Sequence, residues 1–327
     1  MASAHRDESL TGVGEFAVID RLVAGRAQPP LVLLGPGDDA AVVAAVDGRT
    51  VVCTDMLVEG RHFRLDWSTP HDVGRKAIAQ NAADIEAMGG RATAFVVAFG
   101  APGETETTRA VELADGMWHE AELVGAGIVG GDMVAAPQWV ISVAALGDLG
   151  GLDAVRRSGA KLGDTVAVIG DLGRSAAGFA LWDNGINGFD EAGGLRRRHL
   201  VPEPPYGQGV AAARAGATAM IDVSDGLLSD VGHIASASGV RVDLSVAGLR
   251  TDVDALATAA AAVGTDPWQW VLGGGEDHAL VATFSATPPP GWRSIGTVVD
   301  AGVVADGPPQ VTVDGAAWAG NSGWLSF

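Results

Sequence analysis

Acidic residues at the ends of apolar segments are the feature that most constrains how this chain can fold. Such segments include VVCTD (51–55), IVGGD (128–132) and IDVSDGLLSD (221–230). A carboxylate beside a strand end or a helix start costs desolvation energy unless a cation or a backbone cap meets it. A cap explains one such aspartate, but the repetition predicts that several of them converge on bound metal ions.

Length and charge limit the classes of function. The chain has 327 residues, enough for two α/β domains, and a formal net charge of −19. That charge argues against a nucleic-acid backbone or an anionic membrane surface as a partner. If the substrate is a phosphate, divalent cations are the usual means of offsetting the repulsion.

The beginning of the chain and its cysteine content predict a cytoplasmic protein. The first residues, MASAHRDESLTGVGEF, are polar and mixed, and no apolar stretch reaches the roughly 18 residues that span a bilayer. Cys53 is the only cysteine, so neither a disulfide framework nor a thiolate metal cluster is expected.

Apolar periodicity and glycine positions predict two domains, 1–150 and 151–327, joined by a linker at 147–151. Both halves mix strands and helices, which predicts an α/β (α+β) fold class. The expected helices are 15–23, 71–88, 104–125, a helix from 174, 206–214 and the helix of the strand–helix unit 219–238; the expected strands are 40–46, 50–58, 93–99, 127–130, 138–147 and 165–170.

Two motifs in the first half point to metal ligands. The strand alternation puts Cys53 and Asp55 on one face, with Asp55 at the strand end. Asp84 lies on an alanine-rich helix that is expected to be buried. Burying a carboxylate there costs desolvation energy without an evident structural gain, so a ligand role is favoured. For the pair Asp38-Asp39, a tight turn and a metal ligand remain equally open.

The second half contains three further motifs. Asp222 is expected at a strand end as a ligand, whereas Asp225 is either a ligand or the N-cap of a helix starting at Gly226. The loop 170–175 precedes a helix and could hold a phosphate. GGGED (273–277) resembles the diguanylate cyclase signature only superficially, and the following His278 is expected at the surface or in a strand.

Missing motifs narrow the chemistry. Neither lysine, Lys76 or Lys161, is followed by serine or threonine, which excludes a Walker A loop. HExxH and GxSxG are also absent. Any nucleotide chemistry therefore depends on metal-bridged carboxylates.

Taken together, the motifs resemble those of the thiamine-monophosphate kinase family, in the aminoimidazole ribonucleotide synthetase superfamily. The resemblance extends from about residue 14 to the C-terminus, with the motifs in the family's order. The matching segments are GEFAVID (14–20), GPGDDAAVV (35–43), CTDMLVEGRHF (53–63), KAIAQNAADIEAMGG (76–90), GGDMV (130–134), RRSGAKLGD (156–164), IDVSDGLLSDVGHIA (221–235) and GGGEDHAL (273–280).

This resemblance implies a two-domain aminoimidazole ribonucleotide synthetase-like fold. The N-terminal sheet domain would bind ATP and Mg²⁺ and form a homodimer, and the C-terminal domain would be α/β. It implies transfer of the γ-phosphoryl group of ATP to thiamine monophosphate, assisted by several Mg²⁺ ions.

The resemblance also implies roles for individual residues. The Mg²⁺ ligands would be Asp39, Thr54, Asp55, Asp84, Asp132, Asp222 and Asp225; the nucleotide contacts Gly131, Asp132, Arg157 and Ser224; the thiamine contacts His62, Glu276 and Trp324; and the catalytic residues Asp84, Asp132, Asp222 and Arg157. Many family members have Ser-Thr-Asp where this chain has Cys53-Thr54-Asp55, which puts a ligand role for the Cys53 side chain in doubt.

Other members of the superfamily fit less well. Selenophosphate synthetase needs a reactive cysteine or selenocysteine near its N-terminus, and the hydrogenase-maturation relative ends in a cysteine, whereas this chain has only Cys53. The GEF start and GGGED argue against aminoimidazole ribonucleotide synthetase itself. A non-catalytic Mg²⁺- or nucleotide-binding protein is the alternative from another class; the intact carboxylate set argues against it, and turnover would distinguish the two.

Overall fold

A computed structural model describes residues 9–13, 15–36, 41–189, 191–300, 310–320 and 323. The chain divides into two compact units. The first comprises Met1–Ala82 and Ala92–Asp148, and the second comprises Ala83–Arg91 and Leu149–Phe327. The second unit is therefore built from two separate stretches of sequence.

The first unit contains a four-stranded sheet in the order β3-β6-β4-β5. Strands β3 and β6 are antiparallel, β4 and β5 are parallel, and β1 and β2 form a separate antiparallel pair. The elements that lie wholly or mainly in this unit are α1 (Leu10–Val13), α2 (Glu15–Val23), β1 (Val32–Leu34), β2 (Val42–Val43), β3 (Val51–Val58), α3 (Pro70–Ala87), β4 (Arg91–Ala101), α4 (Thr107–Leu123), β5 (Gly127–Ala135) and β6 (Val140–Asp148).

Helix α3 confirms the predicted helix and has clear start and stop signals. Thr69 Oγ1 accepts the backbone N–H of Asp72 at 3.1 Å, and Asp72 Oδ2 accepts the backbone N–H of Thr69 at 3.1 Å. This reciprocal capping satisfies amide groups that have no partner within the helix. After the helix, Gly89 takes a left-handed φ of 76°, which glycine adopts without a Cβ clash.

The first-unit sheet is covered on one face. Cys53 Sγ lies 3.5 Å from the carbonyl oxygen of Asn81 in α3, so that side of β3 faces the helix. The alternate residues Val52 and Met56 are 63% and 52% exposed. Val96 of β4 and Val134 of β5 are also exposed. Since side chains alternate along a strand, the uncovered side of the sheet presents apolar groups to solvent.

The second unit contains a six-stranded sheet in the order β12-β9-β11-β7-β10-β8. Its pairings are antiparallel except for β12 with β9. Its elements are β7 (Thr165–Ile169), α5 (Arg174–Asp183), α6 (Ala192–Leu200), α7 (Gln208–Arg214), β8 (Ala217–Asp222), α8 (Leu227–Ser238), β9 (Arg241–Leu244), α9 (Val246–Val263), α10 (Pro267–Gly273), β10 (Leu280–Phe284), β11 (Arg293–Val299) and β12 (Val311–Val313).

Apolar cores cover both faces of the second sheet. Val166 and Val168 of β7 join a large core with α5, α8, α9 and α10. Ala167, on the opposite face, joins a smaller core that includes Ala87 and Ala212. Among the described residues, every helix is too short or too polar to span a bilayer.

Residues 83–91 are tied closely to the rest of the second unit. The two carboxylate oxygens of Glu86 accept the backbone N–H groups of Gly207 and Gly209, each at 2.8 Å. The backbone N–H of Val155 donates to the carbonyl oxygen of Met88 at 3.0 Å. Glu86 therefore satisfies the start of α7, whose first amide groups have no partner within the helix.

Candidate active site

Asp55 does not end its strand, so that prediction is wrong. Strand β3 continues to Val58, which pairs with Val140 of β6. The backbone N–H of Asp55 donates to Asn81 Oδ1 at 3.1 Å, which ties the strand to α3. The Thr54 hydroxyl lies on the other face and donates to the carbonyl oxygen of Val143 at 2.8 Å.

Asp132 also lies within a strand and not at its end, because β5 continues to Ala135. Its side chain is exposed, and Oδ1 accepts the backbone N–H of Met133 at 2.9 Å. A Cβ atom on the preceding Gly131 would lie 2.1 Å from the carbonyl oxygen of Val97. The close pairing of β4 and β5 therefore requires glycine beside Asp132.

His62 lies in the turn after β3 and has a defined ring orientation. Its Nδ1 accepts the backbone N–H of Val58 at 3.0 Å, so the neutral ring carries its proton on Nε2. The buried Lys76 donates from Nζ to the carbonyl oxygen of His62 at 2.9 Å. These two hydrogen bonds fix the turn at Val58 and at His62. Two other expected site residues, Asp39 and Trp324, lie outside the described residues.

In the second unit, the acidic motif after β8 pairs with the loop before β10. Asp222 is the last residue of β8, as predicted, and pairs with Leu280. Beyond it, the backbone N–H of Glu276 donates to the carbonyl oxygen of Ser224 at 2.7 Å. Asp222, Ser224 and Glu276 therefore lie on adjacent segments, although the motifs are about 50 residues apart in sequence.

Asp225 does not cap the following helix, so the capping alternative is wrong. Helix α8 begins at Leu227, and Asp230 Oδ2 instead accepts the backbone N–H groups of Asp225 and Gly226, each at 3.0 Å. Burial raises the pKa of Asp230 to about 7, and the negative charges of Asp222 and Asp225 add to this shift. These carboxylates therefore repel one another, and a cation would relieve that repulsion.

His278 is buried, so the expectation of a surface or strand position is wrong. Its Nδ1 lies 3.1 Å from Asp222 Oδ2, and it precedes β10 with a left-handed φ of 53°. Glu276 has a φ of 62°. Burial opposes protonation of His278, yet its pKa is raised because the hydrogen bond and charge of Asp222 and the charges of Glu276 and Asp84 outweigh burial. Asp84, half-buried on α3, therefore acts on the same imidazole.

In the loop 170–175, two amide groups that could have held a phosphate are already bound by a carboxylate of the protein. The backbone N–H groups of Gly173 and Ser175 donate to the two carboxylate oxygens of Asp277, at 2.5 and 2.8 Å. This carboxylate occupies the place predicted for a phosphate at the start of α5. Burial raises the pKa of Asp277 to about 7 against the lowering effect of these two hydrogen bonds.

His199 has a place in this site that the sequence did not indicate. Its Nδ1 lies 3.2 Å from Ser175 Oγ and 3.5 Å from Glu276 Oε2. The exposed ring of Phe179 meets the His199 ring edge-on, with centroids 5.4 Å apart. His199 belongs to α6, and no local motif marks it.

Arg157 lies on an exposed loop that the hydroxyl group of Ser238 helps to hold in place. Ser238 Oγ donates to the carbonyl oxygen of Arg157 at 3.1 Å. Ser238 Oγ also accepts the backbone N–H groups of Gly159 and Ala160, each at 3.1 Å. The conformation of the loop therefore depends on Ser238, the last residue of α8.

The expected metal ligands are divided between the two units. In the part of the chain that is described, no three His, Cys, Asp or Glu side chains are grouped closely enough to hold a metal ion. Thr54, Asp55 and Asp132 belong to the first unit, and Asp84, Asp222 and Asp225 to the second. Carboxylate oxygens that repel one another, as around Asp230, are nevertheless the donors that Mg²⁺ prefers.

Comparisons with known proteins agree with this fold. Residues 37–149 match the family model described as AIR synthase related protein, N-terminal domain. A solved thiamine-monophosphate kinase from Stenotrophomonas maltophilia K279a is similar with a TM-score of 0.75 at 30% identity, covering 92% of this chain and 95% of that one. These likenesses establish the AIR synthase-related class and confirm the predicted mixed α/β fold.

Two further similar proteins define the family within that class. The thiamine-monophosphate kinase of Mycobacterium tuberculosis is 67% identical over 324 residues, which is 99% of this chain and 95% of that protein. A structure named AaThiL complexed with AMPPCP and TMP has a TM-score of 0.75 at 29% identity and covers 96% of this chain and 97% of its own. The chain belongs to the thiamine-monophosphate kinase family, whose members are phosphotransferases.

Proposed function

We propose that this protein transfers the γ-phosphoryl group of ATP to thiamine monophosphate, giving thiamine diphosphate and ADP, the last step of thiamine diphosphate biosynthesis. The structural observation that carries the proposal is the pairing of the segment Asp222–Asp225 with Glu276 and His278. This arrangement brings carboxylates together at a strand end in a chain that is 67% identical to a thiamine-monophosphate kinase.

Residues 1–150 are proposed to bind ATP and Mg²⁺, with 151–327 as the C-terminal α/β domain. Gly131, Asp132, Arg157 and Ser224 are the proposed nucleotide contacts. The proposed Mg²⁺ ligands are Asp39, Thr54, Asp55, Asp84, Asp132, Asp222 and Asp225, since oxygen donors suit this ion. Bound Mg²⁺ would neutralise phosphate charge and help to align the attacking and leaving oxygens.

The acceptor explains why the site needs no strong general base. A phosphate monoester has a second pKa of about 6, so it is already mostly dianionic at neutral pH. The barrier is the repulsion between two anionic groups and the charge on the transferring phosphoryl group. Arg157 would stabilise that charge. Because the reaction does not require a protein residue to become phosphorylated, the proposed transfer is direct and in-line.

The thiamine portion of the substrate requires different contacts. Its thiazolium ring is cationic, so it suits the Glu276 carboxylate and stacking on an aromatic ring such as Trp324. The left-handed backbone of Glu276 and the nearby His199 fix the carboxylate. His62, with its proton directed to Nε2, is proposed as a further thiamine contact.

The uncovered face of the first-unit sheet supports a homodimer. Val52 and Met56 of β3 are more than half exposed there, together with Val96 and Val134. Exposed apolar patches of this kind commonly mark protein–protein interfaces. A second copy of the same surface is the proposed partner, and the cytoplasm is the proposed location.

Turnover is the direct test of the proposed function. We expect the protein, incubated with ATP, Mg²⁺ and thiamine monophosphate, to form thiamine diphosphate in step with ADP, as resolved by chromatography. EDTA should abolish the reaction, and free thiamine should not replace thiamine monophosphate. Metal-dependent nucleotide binding without product would contradict the proposed acceptor and direct the search to other phosphate or carbonyl substrates.

Ser238 should affect the enzyme through the loop that carries Arg157. We expect Ser238→Ala to raise the KM for ATP by about 10-fold, because lost hydrogen bonds of about 1 kcal/mol each loosen the loop. The KM for thiamine monophosphate should change little. Initial rates at varied ATP and fixed thiamine monophosphate measure this effect.

Two further variants control this experiment. Ser236→Ala changes an exposed serine on the same helix and should leave both KM values unchanged. Ser238→Thr retains a hydroxyl group and should restore most of the ATP affinity. A folded Ser238→Ala enzyme with an unchanged KM for ATP would contradict the role of this loop.

A further inference from the structure

The contact between His278 and Asp222 is the strongest feature that the proposed chemistry does not yet use. His278 as a whole is 5% exposed, and its Nδ1 lies 3.1 Å from Asp222 Oδ2. An ionised carboxylate can only accept a hydrogen bond, so Nδ1 carries the proton that is shared with it. This contact engages one oxygen of Asp222 and restricts rotation of the carboxylate about its χ angles.

The backbone around His278 holds the imidazole rigidly. Its N–H donates to the carbonyl oxygen of Val223 at 2.9 Å, and the N–H of Val223 donates to the carbonyl oxygen of Ala279 at 2.8 Å. These hydrogen bonds anchor the backbone at His278 to Val223, the residue that follows Asp222. Its φ of 53° is uncommon for a residue other than glycine and costs conformational energy.

Pairing of β8 with β10 does not require an imidazole at this position. The ladder from Leu280 to Phe284 is made by backbone groups, and a glycine or asparagine at 278 would adopt the left-handed conformation more readily. The imidazole of His278 therefore does not serve to hold β8 and β10 together. Within the described part of the chain, the side chain that meets its Nδ1 is Asp222, the carboxylate at the strand end.

We propose that His278 is a positioning residue that orients Asp222 toward a divalent cation, an inference that rests on the proposed function. In protein metal sites, a hydrogen bond to a ligating group fixes its orientation, and losing such a partner costs roughly 10–100-fold in metal affinity or activity. His278 itself does not touch the metal or the substrate. It acts through the carboxylate.

Two substitutions separate this role from simple packing. His278→Asn and His278→Gly both tolerate a left-handed backbone, but only asparagine keeps a side-chain N–H at about the distance of Nδ1. We expect His278→Gly to raise the half-saturating Mg²⁺ concentration and to lower kcat by roughly 10–100-fold. His278→Asn should remain within about 3-fold of the unchanged enzyme, and His233→Asn, an exposed histidine on α8, should have no effect.

A second readout does not depend on turnover. Thermal unfolding is followed with an inert ATP analogue at increasing Mg²⁺ concentrations, because a bound ion stabilises the folded protein. His278→Gly should need more Mg²⁺ for the same rise in Tm, and adding it to Asp222→Asn should cause no further loss. Equal Mg²⁺ responses in the unchanged protein and His278→Gly, or no response in either, would overturn the proposal.

These two readouts also separate failure of the inference from failure of the proposed function. If thiamine monophosphate is not phosphorylated but the Mg²⁺-dependent rise in Tm requires His278, the acceptor is wrong and the positioning role stands. If turnover is normal and His278→Gly keeps its Mg²⁺ dependence, the kinase assignment stands and the positioning role is wrong.

Discussion

Asp84→Asn is expected to reduce kcat by roughly 1,000-fold, because losing this proposed metal ligand would remove several kcal/mol of charge stabilisation in the transition state. Each 1.36 kcal/mol, by the transition-state relation, is about tenfold in rate. Asparagine has the same shape but no charge. Asp84 is half-buried on α3, and its charge acts on the imidazole of His278. Initial rates of thiamine diphosphate formation measure the effect.

A helical aspartate away from the site is the matched control. Asp254 is exposed on α9, and Asp254→Asn should retain the kcat of the unchanged enzyme. Circular dichroism should show that both variants are folded. Near-normal turnover by Asp84→Asn would remove Asp84 from the proposed ligand set, whereas equal losses in both variants would point to a general effect of charge.

Gly178→Ala is expected to destabilise the protein by about 3 kcal/mol, since adding a methyl group to a well-packed contact costs about 1–3 kcal/mol and the clash here is with backbone. A Cβ atom at this position would lie 2.1 Å from the carbonyl oxygen of Leu195 and 3.0 Å from the Cβ of His199. Helices α5 and α6 would have to separate. Urea unfolding followed by circular dichroism measures the change in stability.

A glycine on the second of these helices provides the control. Gly194 lies in α6, and a Cβ atom there would meet nothing within 4 Å. Gly194→Ala should be neutral or stabilise by up to about 1 kcal/mol, because alanine has the higher helix propensity. If both variants lose the same stability, the close approach at Gly178 is not the cause.

The helices and strands that carry the site were easier to predict from the sequence than the residues at which the strands end. Helix α3 was predictable because its start and stop signals are local, at Thr69 and Gly89. The ends of β3 and β5 were not, because their length depends on pairing with β6 and β4. Asp55 and Asp132 consequently lie inside strands, although their motifs suggest strand ends.

Long-range contacts account for the errors in the second unit. The amide groups of Gly173 and Ser175 look available in the sequence, but Asp277, about 100 residues later, accepts both hydrogen bonds. The burial of His278 and the contact of His199 with Glu276 likewise come from tertiary packing. Neither the hydrophobic periodicity nor a motif near His278 and His199 indicates the burial of the first or the contact of the second.

The division of the second unit into two stretches of sequence limits how it can be exchanged by recombination. A crossover at residues 148 and 149 would transfer Leu149–Phe327 without Ala83–Arg91. The incoming segment would pack against the other parent's residues 83–91, so the contacts of Glu86 with the start of α7 and of Ala87 with the smaller core would depend on what that parent has there. Recombination preserves the packing of this unit when both stretches come from the same parent.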